Sequence, residues 1–174
     1  YFHSRSLAVI LFSQWLDSKS GLPIKTSPDS APCLDFMAGV RAFSSRAYDS
    51  VASEFNQHWK DPSPRMGETI SEFIVFAKRL AARSGKAAPT RVLDLGCGPG
   101  IYLRYFAEAG FDCTGVDTSE EMLSIARNKI KALTSGSSAP GLDLRRQDAF
   151  DLHIFPDASF DAIWHCALMV HLPR

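Results

Sequence analysis

Apolar positions recur along this chain with two different periods. Between residues 44 and 59, Tyr48, Val51, Ala52, Phe55 and Trp59 fall at helical spacing, with Ser44 and Ser45 available as caps. Residues 61–67, DPSPRMG, predict a loop, and a second helix is expected over 69–83. Its stripe is Ile70, Phe73, Ile74, Ala77, Leu80 and Ala81, and Thr69 with Glu72 fits a capping box. Residues 84–90, holding Gly85 and Pro89, form a connector. From Arg91 short apolar runs alternate with helical stretches. Val92 to Leu95 predicts a buried strand. Residues 101–109 predict a helix with Leu103, Phe106 and Ala107 inward and Gly110 at its end. A second strand is expected over 111–117. Thr118 is then expected to cap a helix, with Glu121 completing a box and Met122, Leu123, Ala126 and Ile130 inward. After a loop over 135–141, residues 142–147 and 160–166 predict a third and a fourth strand. Strands separated by single helices pair in parallel. The fold class is therefore α/β, a doubly wound, mainly parallel sheet with helices on both faces.

Composition narrows this picture without redirecting it. Of 174 residues, 45% are hydrophobic and 22% charged, with no net charge, which is the profile of a soluble globular chain. The balance gives no electrostatic reason to expect nucleic acid or an anionic membrane as partner. Cys33, Cys97, Cys113 and Cys166 form no C-x-x-C pair, so they read as reduced intracellular thiols and point to the cytoplasm. The five histidines form no H-E-x-x-H pattern, and no metal site is expected. The apolar run Leu7–Phe12 is far shorter than the roughly 20 residues of a membrane span. Residues 1–43 are expected to be a leader or flexible segment. Residues 17–35 read as linker, Met37 is an alternative start, and organelle targeting stays open.

The chemistry-bearing segment is Asp94-Leu95-Gly96-Cys97-Gly98-Pro99-Gly100, entered from a strand and left by a helix. Glycines let the backbone turn sharply and approach a ligand closely. The helix start offers unpaired N–H groups, at the carboxyl end of a parallel strand where such sheets bind ligands. The dinucleotide pattern G-x-G-x-x-G would need glycine at position 101, which is Ile101, and Pro99 removes a backbone donor. Asp117, ending the second strand, is placed to accept two hydrogen bonds from a ribose diol, and capping the next helix is its alternative role.

The D-x-G-x-G-x-G form resembles the first motif of class I, Rossmann-like methyltransferases, and the likeness continues in order. Gly115 to Leu123 (GVDTSEEML) is similar to the second motif, Gln147-Asp148-Ala149 to the turn after the third strand, and Phe155 to Asp161 to the lead-in of the fourth. Met169 to Pro173 (MVHLP) resembles the start of the next helix, and Tyr48 to Phe55 (YDSVASEF) the N-terminal helix that often covers the cofactor. The resemblance implies S-adenosyl-L-methionine as cofactor. Asp94, Gly96, Cys97, Gly98 and Gly100 would surround its methionine part, with Asp94 near the ammonium. Asp117 would hold the ribose. Asp148 and the N–H of Ala149 would face the adenine, with Thr118 and Met122 packed beside it. His165 would lie near the methyl group. Asp148 as a turn residue, and Tyr48 and Phe55 as plain core, are alternatives.

The implied reaction is methyl transfer to a small molecule. Trp164-His165-Cys166-Ala167, standing where an asparagine-proline-proline-aromatic signature would be, disfavours a nucleobase or amide acceptor. His165 and His171 are candidate bases, neither marked by a partner. A non-catalytic cofactor-binding module and a nicotinamide-dependent oxidoreductase are the competing readings. The family's sheet continues past the fourth strand, so the resemblance implies a domain incomplete at Arg174. On the same reading, residues 44–84 are N-terminal helices and 91–174 the cofactor-binding core.

Overall fold

A computed structural model describes residues 31–83, 85, 90–134, 141–149 and 151–168. Contacts divide the chain into Tyr1–Phe36 and Met37–Arg174, and apart from residues 31–36 of the first helix the features below lie in the second unit. Among the described residues two helices come first, α1 (Ala31–His58) and α2 (Pro64–Arg83). Alternation follows as β1 (Arg91–Leu95), α3 (Ile101–Glu108), β2 (Asp112–Asp117), α4 (Glu120–Thr134), β3 (Leu142–Arg146) and β4 (Ala162–His165).

Each helix start expected from a Ser or Thr signal is displaced. α1 runs through Ser44 and Ser45 and begins at Ala31. Ser45, inside the helix, donates instead to the carbonyl of Thr118 at 2.9 Å. α2 begins at Pro64, so most of the predicted 61–67 loop is helix. Its cap is Ser63, whose hydroxyl accepts the N–H of Met66 at 3.3 Å. Thr69 is no cap: its hydroxyl donates back to the Arg65 carbonyl at 3.2 Å. α4 is capped by Ser119, which accepts the N–H of Met122 at 3.2 Å, and Thr118 lies outside.

The four strands are all parallel in the order β3-β2-β1-β4. The chain steps outward from β1 to β3 and then returns to the far side of β1, which is the doubly wound arrangement. Asp94 pairs with Gly115 on one side and Trp164 on the other. Val92, Leu93, Cys113 and Val116 from the central strands are buried with Ile70, Ala77, Leu103, Phe106 and Leu123 from the helices. Trp164 joins them, its ring 5.1 Å from Phe73 and 5.6 Å from Phe106. Met122, Leu123 and Ala126 are buried as the α4 stripe predicts, whereas Leu80 of α2 is exposed. Among the described residues no helix is long and apolar enough to cross a membrane.

Candidate functional site

The glycine loop is tied to β2 before it reaches α3. The N–H groups of Gly96 and Cys97 both donate to the Val116 carbonyl, at 2.8 and 3.0 Å. Gly98 N–H donates to Asp117 Oδ2 at 2.9 Å. Gly100 takes a left-handed conformation, φ 74°, as the residue entering α3. Gly98 is also left-handed, and a Cβ there would meet no atom within 4 Å, so its backbone faces open space.

Two carboxylates stand at the adjacent strand ends. Asp94 is buried, and neither of its oxygens finds a hydrogen-bond partner among the described residues. Burial, reinforced by the charge of Asp117, pushes its pKa up to about 8. Asp117 accepts Gly98 N–H on Oδ2 and Ser119 N–H on Oδ1, the latter at 2.9 Å. Burial raises its pKa, and those hydrogen bonds oppose the rise. The Thr118 N–H acts on it as well, and a carboxylate with about four lone-pair sites still keeps acceptor capacity for a further donor. Burial, then Asp94, push the Cys97 thiol well above its usual range, so it is no ready nucleophile.

A cleft of about 160 Å³ opens over these groups. Its floor is Gly96, Gly98 and Asp117, and Thr118, Met122, Gln147 and Ala149 form one wall. Ser44, Tyr48 and Phe55 of α1 form another, with Tyr48 and Phe55 edge to face at 6.2 Å. Cys166, Ala167 and Leu168 close the third side. Leu168 lies against Gly96, where a Cβ would stand 3.0 Å from its Cδ1. Asp94, Cys97 and Gly100 do not themselves line the cleft; they belong to β1 and to the loop that carries Gly96 and Gly98. Asp148 lies in a neighbouring groove of about 500 Å³, where its Oδ2 meets Arg41 Nε at 3.1 Å. His165 pairs with Leu95 at the sheet and is half-buried; burial lowers its pKa, and it is not among the described cleft walls. His171 lies outside the described residues.

Several wall residues carried no sequence signal. Leu168 and Ala167 follow β4, and Ala167 adopts a left-handed φ of 57° that nothing in its residue type announces. Ser44 was read only as a helix cap, not as a cleft residue. Asp49 and Ser119, which bond to each other at 2.5 Å, are separated by 70 residues and share no motif.

A parallel sheet with a glycine loop after one strand and an acid ending the next defines a nucleotide-binding α/β domain. Comparison with known proteins narrows the class. Residues 92–174 match a family described as a methyltransferase domain. The chain is 35% identical over 125 residues to a ubiquinone biosynthesis O-methyltransferase of Xanthomonas axonopodis pv. citri (strain 306), covering 72% of this chain and 49% of that protein. It is 36% identical over 90 residues to a malonyl-(acyl-carrier protein) O-methyltransferase of Pseudescherichia vulneris, covering 51% and 31%. Among solved structures, magnesium protoporphyrin IX methyltransferase of Synechocystis PCC 6803 superposes with a TM-score of 0.57 at 21% identity, covering 77% of this chain and 64% of the other. Residues 92–174 thus belong to the class I, Rossmann-like methyltransferases. The chain spans half or less of these two curated relatives, 49% and 31% of their lengths.

Proposed function

We propose that the cleft binds S-adenosylmethionine and that the protein transfers its methyl group to an oxygen of a small organic acceptor. The observation that carries this reading is Asp94. A buried carboxyl with two unpartnered oxygens is costly unless something pairs with it, and a ligand ammonium supplies that partner. The other groups suit the same molecule. Asp117 retains acceptor capacity for a ribose diol, the backbone at Gly98 is open to close approach, and the apolar faces of Met122 and Phe55 suit an adenine. The acidic set suits a cation, and it argues against the pyrophosphate of a nicotinamide cofactor. Asp148, whose Oδ2 is paired with Arg41, is proposed for the adenine amino group.

The volume adds a condition. Sites for ligands of this size enclose about 300–1,000 Å³. The cleft alone is smaller, and the adjoining groove of about 500 Å³, which shares Thr118 and Gln147 with it and holds Asp148, offers the remaining space. When bound, the cofactor supplies an electrophilic methyl on a sulfonium. The chain's own contribution is to hold the ligand by its two ends, orient the acceptor and keep water out. Both quoted relatives are named O-methyltransferases, which supports an oxygen acceptor. The free thiols Cys97, Cys113 and Cys166 suit a reducing cytoplasm.

Calorimetry with S-adenosylmethionine and S-adenosylhomocysteine tests the reading. Wild type is expected to bind both, and Asp117→Ala to bind them about 10–100-fold more weakly, the loss of a charge-assisted hydrogen-bond pair. Equal heats from the two proteins would overturn the assignment.

A further inference from the structure

We infer that Asp49 is a positioning residue for the cleft, fixing the carboxylate of Asp117 through Ser119. The inference adds a role for α1 to the reading of the cleft above and rests on that reading for its consequence in binding. Asp49 Oδ1 accepts the hydroxyl of Ser119 at 2.5 Å and the N–H of Glu121 at 3.2 Å. Ser119 is fully buried, and its oxygen accepts the N–H of Met122. Its own N–H donates to Asp117 Oδ1, while Asp117 Oδ2 holds Gly98. An unbroken line of hydrogen bonds therefore runs from α1, through the first turn of α4, to the glycine loop.

A serine hydroxyl has one proton to donate, and the group receiving it sets the rotamer. At the start of α4 that proton goes to Asp49, which leaves the oxygen lone pairs aimed at Met122 N–H. Two unpaired N–H groups of the helix start are thus satisfied by two different side chains, one from another helix. The arrangement runs against charge. Asp49 stands near Asp117 and raises its pKa, and Glu120 and Glu121 are adjacent. The crowding of acids is offset here by the short hydrogen bond from Ser119, the longer one from Glu121 N–H and the helix N-terminus. Asp49 shares its helix face with two other ties. Arg41 pairs with Asp148, and Ser45 donates to the Thr118 carbonyl. Residues 41, 45 and 49 lie four apart, so one face of α1 grips both segments that flank the cleft wall.

Amide hydrogen exchange on the ligand-free protein tests this without relying on the cofactor. Asp49→Ala is expected to speed exchange at Gly98 about tenfold, and Asp49→Asn, which keeps an acceptor oxygen, to stay within about threefold of wild type. If Asp49 only held α1 in place, α1 amides would change and Gly98 would not, which overturns the inference. Asp49→Glu retains the charge, favours the helix at least as well, and displaces the oxygen. It should also speed Gly98, and a wild-type rate there counts against the proposal even if the alanine variant fails to fold. In calorimetry with S-adenosylhomocysteine, Asp49→Ala should bind about tenfold more weakly and Asp49→Asn near normally. A wild type that binds nothing would remove the functional reading but leave the exchange result to decide on Asp49.

Discussion

At Asp94 the folded protein holds a carboxyl that keeps its proton to about pH 8, because it is buried and faces Asp117. In the unfolded chain the same group ionises near its ordinary value of 3.8. Between those limits the folded state binds the extra proton, so this residue's contribution to stability falls as pH rises from about 4 to about 8. The slope is at most about 1.4 kcal/mol per pH unit. Asp94→Asn should remove it, leaving a protein more stable than wild type at pH 8 in denaturant titrations. Binding a cation at Asp94 demands the ionised form, so ligand uptake should release a proton. Affinity should rise up to tenfold from pH 6 to pH 7, below the range of about 7.7–8.0 in which an α-amino group itself titrates. Calorimetry in buffers of different ionisation enthalpy reads that proton directly, and no release would refute the pairing. The carboxylate and its loop were legible because residue type, spacing and strand end all pointed one way. Leu168 against Gly96, and Asp49 against Ser119, were not. Their partners are far away in the chain, and pattern along a sequence carries no distance across a fold.

Helix starts show how local signals compete. Thr69 with Glu72 and Thr118 with Glu121 both match a capping box, yet Ser63 and Ser119 hold the actual N-terminal amides. The Ser63-Pro64 pair was itself a start signal, since proline suits the first helical position. An apolar stripe locates a helix's buried face, but it runs equally well from any of several Ser or Thr residues upstream. Where the first turn lies is decided by the hydroxyl that reaches an unpaired N–H. Ser63→Ala should therefore lower unfolding free energy by about 1 kcal/mol. Thr69→Ala should change it by no more than about 0.5 kcal/mol, because its hydroxyl only bonds back within the helix. Equal losses in urea titrations would contradict that placement. α1 was foreshortened for the same reason. Ser44 and Ser45 look like a beginning, while the turns before them depend on a composition that neither favours nor forbids helix.

For the molecule as a whole, strand order follows from alternation and the doubly wound rule, so β3-β2-β1-β4 was within reach of the sequence. The size of the cleft was not, because it depends on how closely α1 and the segment after β4 approach the sheet. Saturating ligand at about 100 times its dissociation constant should stabilise the fold by about 2.7 kcal/mol. Thermal melts with S-adenosylhomocysteine would show this, and an unmoved midpoint would exclude binding to the folded state. The central strand carries one more consequence. One edge of β1 meets β2 soon after it in the chain, but the other is closed by residues such as Asp161, whose carboxylate takes the Arg91 N–H from 70 positions away. At about 5–20 residues per second, a ribosome needs roughly 4–14 s to make that stretch. Through those seconds the amides and carbonyls of Arg91 and Leu93 stand bare on that edge, open to any neighbouring strand. The newborn polypeptide is thus open to mispairing at a strand that, once finished, has a neighbour on each side.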